Sequence, residues 1–129
     1  MWIKTSLAIW ATVTSTPGEN AKFDLVCLES YTAPAVSAAT VRYSVDLDKM
    51  LYCKQPPRGS SFVCEGAKIS SVDQESIVFT SFENGQFHIH LSVNRYTGEI
   101  FSDSNVPFVL PFSGGCMKAS FTPIPPAKF

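Results

Sequence analysis

Residues 76 to 103 constrain this chain more than any other stretch. Ser76-Ile77-Val78-Phe79-Thr80-Ser81-Phe82 is rich in residues that favour strands. Asn84-Gly85 follows, and this pair supplies the left-handed backbone that a two-residue hairpin turn requires. Phe87, Ile89, Leu91 and Val93 then recur at a period of two, with His88, His90, Ser92 and Asn94 between them. Thr97-Gly98 turns the chain again, and Ile100-Phe101-Ser102 begins a return strand. Three antiparallel strands in one contiguous run establish a β-rich fold class. They establish no activity.

A chain of 129 residues with ten Phe, four Tyr and two Trp can bury a substantial core in one domain. Its formal net charge of -1 offers no field to draw it to nucleic acid or to an anionic membrane. The basic residues Arg42, Lys49, Lys54, Arg58, Lys68, Arg95 and Lys118 are scattered, without the basic stripe and stacking aromatics of a single-strand binder. No apolar stretch is long enough to span a bilayer as a helix.

The four cysteines, Cys27, Cys53, Cys64 and Cys116, match no zinc-binding spacing. An even number suits two disulfides formed in an oxidising compartment. The segment between Cys53 and Cys64 contains Pro56-Pro57-Arg58-Gly59, which turns the chain back on itself. This favours Cys53–Cys64 and, by elimination, Cys27–Cys116, among three possible connectivities. The alternative is four reduced, buried thiols.

Residues 1–21 have two readings. Lys4 followed by a modestly apolar run and then small, polar residues is the outline of a secretory signal. Leu7 to Thr14 is equally suited to a first strand. Residues 22–122 read as a single β domain. Lys22 to Glu29 forms a strand with Phe23, Leu25 and Cys27 on one face and Val26 and Leu28 on the other. Apolar residues on both faces imply a strand covered on both sides or near the centre of the domain. Thr40 to Leu47 alternates cleanly, and Met50 to Cys53 pairs back on it. Asn105 to Gly115 is an apolar loop around Phe108, Val109, Leu110 and Phe112, and Cys116 to Thr122 is a last strand. Residues 123–129 form a Pro-rich tail. The whole predicts an antiparallel barrel or sandwich of about seven or eight strands.

Four features carry possible chemistry. His88 and His90 lie two residues apart on a strand, so both imidazoles share a side, as a metal site on a sheet needs. With a two-residue loop at Asn84-Gly85, Ser81 faces His88 and Phe79 faces His90. The next turn then sets His90 near Ser104, and no third ligand joins the pair. Asp46-Leu47-Asp48 lacks the glycine and further acids of a calcium loop, and reads as a solvated strand end. Cys116, in Ser113-Gly114-Gly115-Cys116, would be a nucleophile only with a nearby base such as His88 or His90, and a disulfide is its plainer fate. The apolar loop containing Phe108 and Phe112 either packs under the sheet or meets a ligand or partner. No nucleotide, dinucleotide, hydrolase or zinc-protease motif is present, and no cofactor is implied.

Tyr43-Ser44-Val45-Asp46-Leu47, a cysteine pair, Asn94-Arg95-x-Thr97-Gly98 and a late Gly-Cys together resemble small exported bacterial proteins of unknown function. The resemblance spans residues 23 to 121. It implies export, to the periplasm or beyond the cell, and an all-β domain. It brings no catalytic residues.

These observations make the chain a non-enzymatic exported module that binds a small molecule or another protein, with Phe108 and Phe112 as contacts. A small metal-dependent or thiol enzyme using His88, His90 and Cys116 is the second expectation. A structural component of an assembly is the third.

Overall fold

The computed structural model describes residues 21–56 and 64–126. The alternative readings of the N-terminal stretch, most of the Pro56–Gly59 turn and the end of the tail lie outside those residues. Nine strands form one antiparallel sheet among the described residues. They are β1 (Lys22–Tyr31), β2 (Ser37–Asp46), β3 (Leu51–Lys54), β4 (Ala67–Lys68), β5 (Ser71–Val72), β6 (Ser76–Glu83), β7 (His88–Asn94), β8 (Glu99–Ser104) and β9 (Phe112–Ala119). Their spatial order is β4-β3-β2-β1-β9-β8-β7-β6-β5. The all-β, antiparallel class read from the sequence is the class observed.

The two edge strands of this order, β4 and β5, are joined by only two residues, Ile69-Ser70. The sheet therefore curls until its edges approach, and the chain itself spans the seam. The Ile69 amide donates to the Met50 carbonyl at 2.8 Å, and the Ser70 amide to the Val78 carbonyl at 2.9 Å. Ile69 is buried, so the link also plugs the core. Tyr52 of β3 and Thr80 of β6 meet across the seam, hydroxyl to hydroxyl, at 2.6 Å. Bringing edges together in this way hides backbone groups that an open sheet would present to other chains.

The concave face holds the core: Phe23, Leu25 and Cys27 from β1, Tyr43 and Val45 from β2, Ile77 and Phe79 from β6, Val93 from β7 and Ile100 from β8. β1 lies inside the sheet, between β2 and β9. Its convex face is covered at Asp24, which is fully buried, but open at Leu28, which is half exposed.

Three local expectations change. β9 begins at Phe112, so Gly114 and Gly115 lie within a strand rather than a loop. The reason is close approach: a Cβ on Gly114 would sit 1.7 Å from the Leu28 carbonyl oxygen of β1. The β6–β7 connection has four residues, since Glu83 pairs with His88, and Asn84 Oδ1 accepts the Gln86 and Phe87 amides at 3.1 and 2.8 Å. A register shift between Val78 and Thr80 marks a bulge at Phe79. The bulge changes the phase of β6, so Thr80 joins Phe79 on the concave side.

Candidate functional site

The strand ends that carry Tyr31, Lys54, Thr80, Ile89 and Phe112 surround a cavity of about 550 Å³ at one mouth of the curled sheet. The buried core closes it below. Ile89 and Leu91 of β7 form an apolar wall, and the 106–112 loop supplies Phe108, Val109 and Leu110 along the rim. Phe112 packs against Tyr31 with ring centroids 5.4 Å apart.

Phe108 is fully exposed, and its backbone has φ 73°. A bulky side chain in the left-handed region crowds its own carbonyl, at about 1–2 kcal/mol. Leu110, beside Phe108, is 44% exposed.

The polar floor arises from the parity of β1. Alternation places Glu29 and Tyr31 on the same side as Phe23, Leu25 and Cys27, at the mouth end of the strand. Glu29 has no solvent exposure. One carboxylate oxygen accepts the Tyr31 hydroxyl at 2.7 Å and the Lys54 ammonium at 3.4 Å. The other accepts the Tyr43 hydroxyl. A buried carboxylate needs such partners, because an unpaired charge away from water is expelled or neutralised. Burial, the hydrogen bond to Glu29 and the Glu29 charge together raise the Tyr31 phenol to about 12. The same causes push the Tyr43 phenol higher still. Both phenols therefore stay protonated as donors to Glu29.

Lys54 spans the boundary. Its ammonium lies near the rings of Tyr43 and Phe112, at 6.0 and 5.9 Å from their centroids, and its side chain is half exposed into the cavity.

The residues singled out from the sequence distribute as follows. Phe108 and Phe112 both line the cavity. His88 and His90 lie on the convex side of β7, and the observed register places Asp103 opposite His90, not Ser104. The His88 ring nitrogen is 3.2 Å from the Asp103 carboxylate, and His90 Nε2 is 3.2 Å from the Ser92 hydroxyl. Among the described residues, no three metal-ligating side chains converge. Cys116 is bonded to Cys27 and Cys53 to Cys64, with Cα separations of 4.0 and 5.9 Å, so neither pair offers a thiolate. Asp46 caps the β2–β3 turn by accepting the Lys49 amide at 3.1 Å.

Glu29, Tyr31, Tyr43 and Lys54 were not singled out by sequence reasoning. The available signal was the continuation of the β1 core parity to an acid, at Glu29. A charge at a core position demands partners, but their identity depends on β2 and β3 crossing beside it.

Compared with known proteins, the chain matches no family model, no curated protein sequence and no solved structure.

Proposed function

We propose that the protein is a non-enzymatic binding module whose ligand occupies the cavity at the mouth of the curled sheet. The observation that carries this reading is an apolar cavity of about 550 Å³ with a few converging polar groups on its floor. That combination of size and lining is typical of sites for small organic ligands. The rim strain at Phe108 and the exposure of Leu110 support it. Two disulfides support residence in an oxidising compartment, hence export. No helix among the described residues is long and apolar enough to cross a membrane.

The experiment is amide chemical-shift mapping with a panel of small amphipathic compounds, repeated on Phe108→Ala and Phe112→Ala. Shifts confined to β7, Lys54 and the 106–112 loop, weakened in both variants while the fold persists, are the expected result. Ligand-induced shifts unchanged in both variants would remove the two rings from the site.

The convex surface favours a second reading. Leu28, Phe101 and Met117 expose apolar side chains on β1, β8 and β9, with 76% of Met117 accessible. Exposed apolar side chains on three neighbouring strands suit a structural component of an assembly. A mass that rises with concentration, and that Met117→Lys returns to the monomer value, would favour it.

A further inference from the structure

Among the described residues lining the cavity, Lys54 is the only one that carries a formal charge. Its counter-ion, Glu29, is not part of the cavity surface: Tyr31 and Tyr43 hydroxyls and the Lys54 ammonium occupy its oxygens, and it has no exposure. A molecule entering the cavity thus meets one ammonium on an otherwise apolar and hydroxylic wall. One of the three ammonium N–H groups is directed to Glu29, at the long distance of 3.4 Å, leaving the others for a ligand.

We infer that the cavity selects a monoanionic amphipath, a carboxylate on an aliphatic or aromatic body, with the carboxylate on Lys54. Its apolar body lies between Ile89 and Leu91 on one side and Phe108 and Leu110 on the other. This inference rests on the cavity being the binding site. Three features argue for an anion over a cation or a neutral molecule. The sealed carboxylate cannot be reached by a cationic head without breaking both tyrosine bonds. The ammonium stands 6.0 and 5.9 Å from the Tyr43 and Phe112 ring centroids, so a carboxylate that reaches it is flanked by apolar surface. The Glu29 pairing holds the flexible lysine chain near the floor, which reduces the rotamer freedom lost on binding.

The decisive experiment compares decanoate, 1-decanol and decyltrimethylammonium, below their aggregation concentrations, by amide-shift titration of the full chain. Decanoate is expected to move the amides of Lys54, Ile89 and Leu91 and to bind about ten- to a hundredfold more tightly than decanol, the range of a charge-assisted hydrogen bond. Lys54→Met should abolish that preference, so that decanoate binds no more tightly than decanol to the variant, and Lys54→Arg should retain it. Decanol bound as tightly as decanoate, or the ammonium compound bound best, would overturn the anion inference and leave the cavity as a binding site. No shift at the cavity with any of the three would overturn both.

Discussion

The Tyr43 hydroxyl donates to the Glu29 carboxylate, so a charge with no solvent exposure is held from the neighbouring strand. Tyr31 holds the same carboxylate from two residues further along β1. Tyr31 has a folded pKa of about 12 against an ordinary 10.0, raised first by burial and then by Glu29. Stability from this phenol is complete below pH 10 and is lost as pH rises through the folded value. Ultraviolet titration of tyrosinate should therefore show Tyr31 and Tyr43 silent near pH 10 in the native protein. Glu29→Gln should bring Tyr31 ionisation downward, since it removes the carboxylate charge. Native phenols that all ionise near pH 10 would contradict this cluster.

Asp24 gives the opposite pH dependence. It lies on the convex face of β1, fully buried, and accepts the Thr122 amide at 2.9 Å, the Thr122 hydroxyl at 2.7 Å and Arg42 Nε at 2.6 Å. Burial raises its carboxyl, but bonds from Thr122, Arg42 and Ser44 outweigh that and hold it below the ordinary 3.8. A depressed folded value means stability present above pH 4 or so and lost as pH falls through the folded pKa. Thr122→Val should cost about 1–3 kcal/mol by chemical denaturation at neutral pH. The variant should also flatten the loss of stability in acid. An unchanged acid profile would show that Asp24 does not anchor the segment after β9.

Adjacent glycines in β9 should respond very differently. Gly114→Ala places a Cβ 1.7 Å from the Leu28 carbonyl oxygen, a backbone atom that cannot rotate away. A loss above about 3 kcal/mol is expected, in the range reserved for severe lesions. Gly115→Ala meets nothing within 4 Å and should stay within about 0.5 kcal/mol of the parent. Equal tolerance in thermal melts would disprove the close β1–β9 approach.

The two disulfides should contribute unequally. Cys27 and Cys116 are direct cross-strand partners 89 residues apart in sequence, whereas Cys53 and Cys64 are 11 apart. Restriction of the unfolded chain gives about 4.6 kcal/mol for the first and about 2.8 kcal/mol for the second. Paired Cys→Ala variants measured by denaturant unfolding should preserve this order. Cys27 is fully buried, so partial reduction followed by alkylation should label Cys64 before Cys27.

Legibility followed the range of the interactions involved. The 76–103 strands were readable because alternation and turn residues act over a few positions, and Ile89, Leu91 and Val93 do face inward. The register was not, because Asn84 closes a four-residue connection through its side chain and Phe79 bulges. Those two local choices placed Ser81, not Phe79, opposite His90 on β6, and the turn closed by Asn94 and Gly98 placed Asp103, not Ser104, opposite it on β8. Phe108 and Phe112 were found from composition. Their shared cavity with Lys54 was not, since it depends on β3 and β7 facing each other across the curled sheet.

Alternating apolar residues, turn signals and an even cysteine count determined an all-β, antiparallel domain and the favoured pairing of its cysteines. These are properties of short chain segments, and short segments carry their own periodicity. Tertiary structure alone decided that the edges meet through Ile69-Ser70, and that Lys54, Tyr31 and Tyr43 converge on Glu29. A buried charge settles where separate strands bring donors to it. That position is set by sheet curvature and register, which no local pattern encodes.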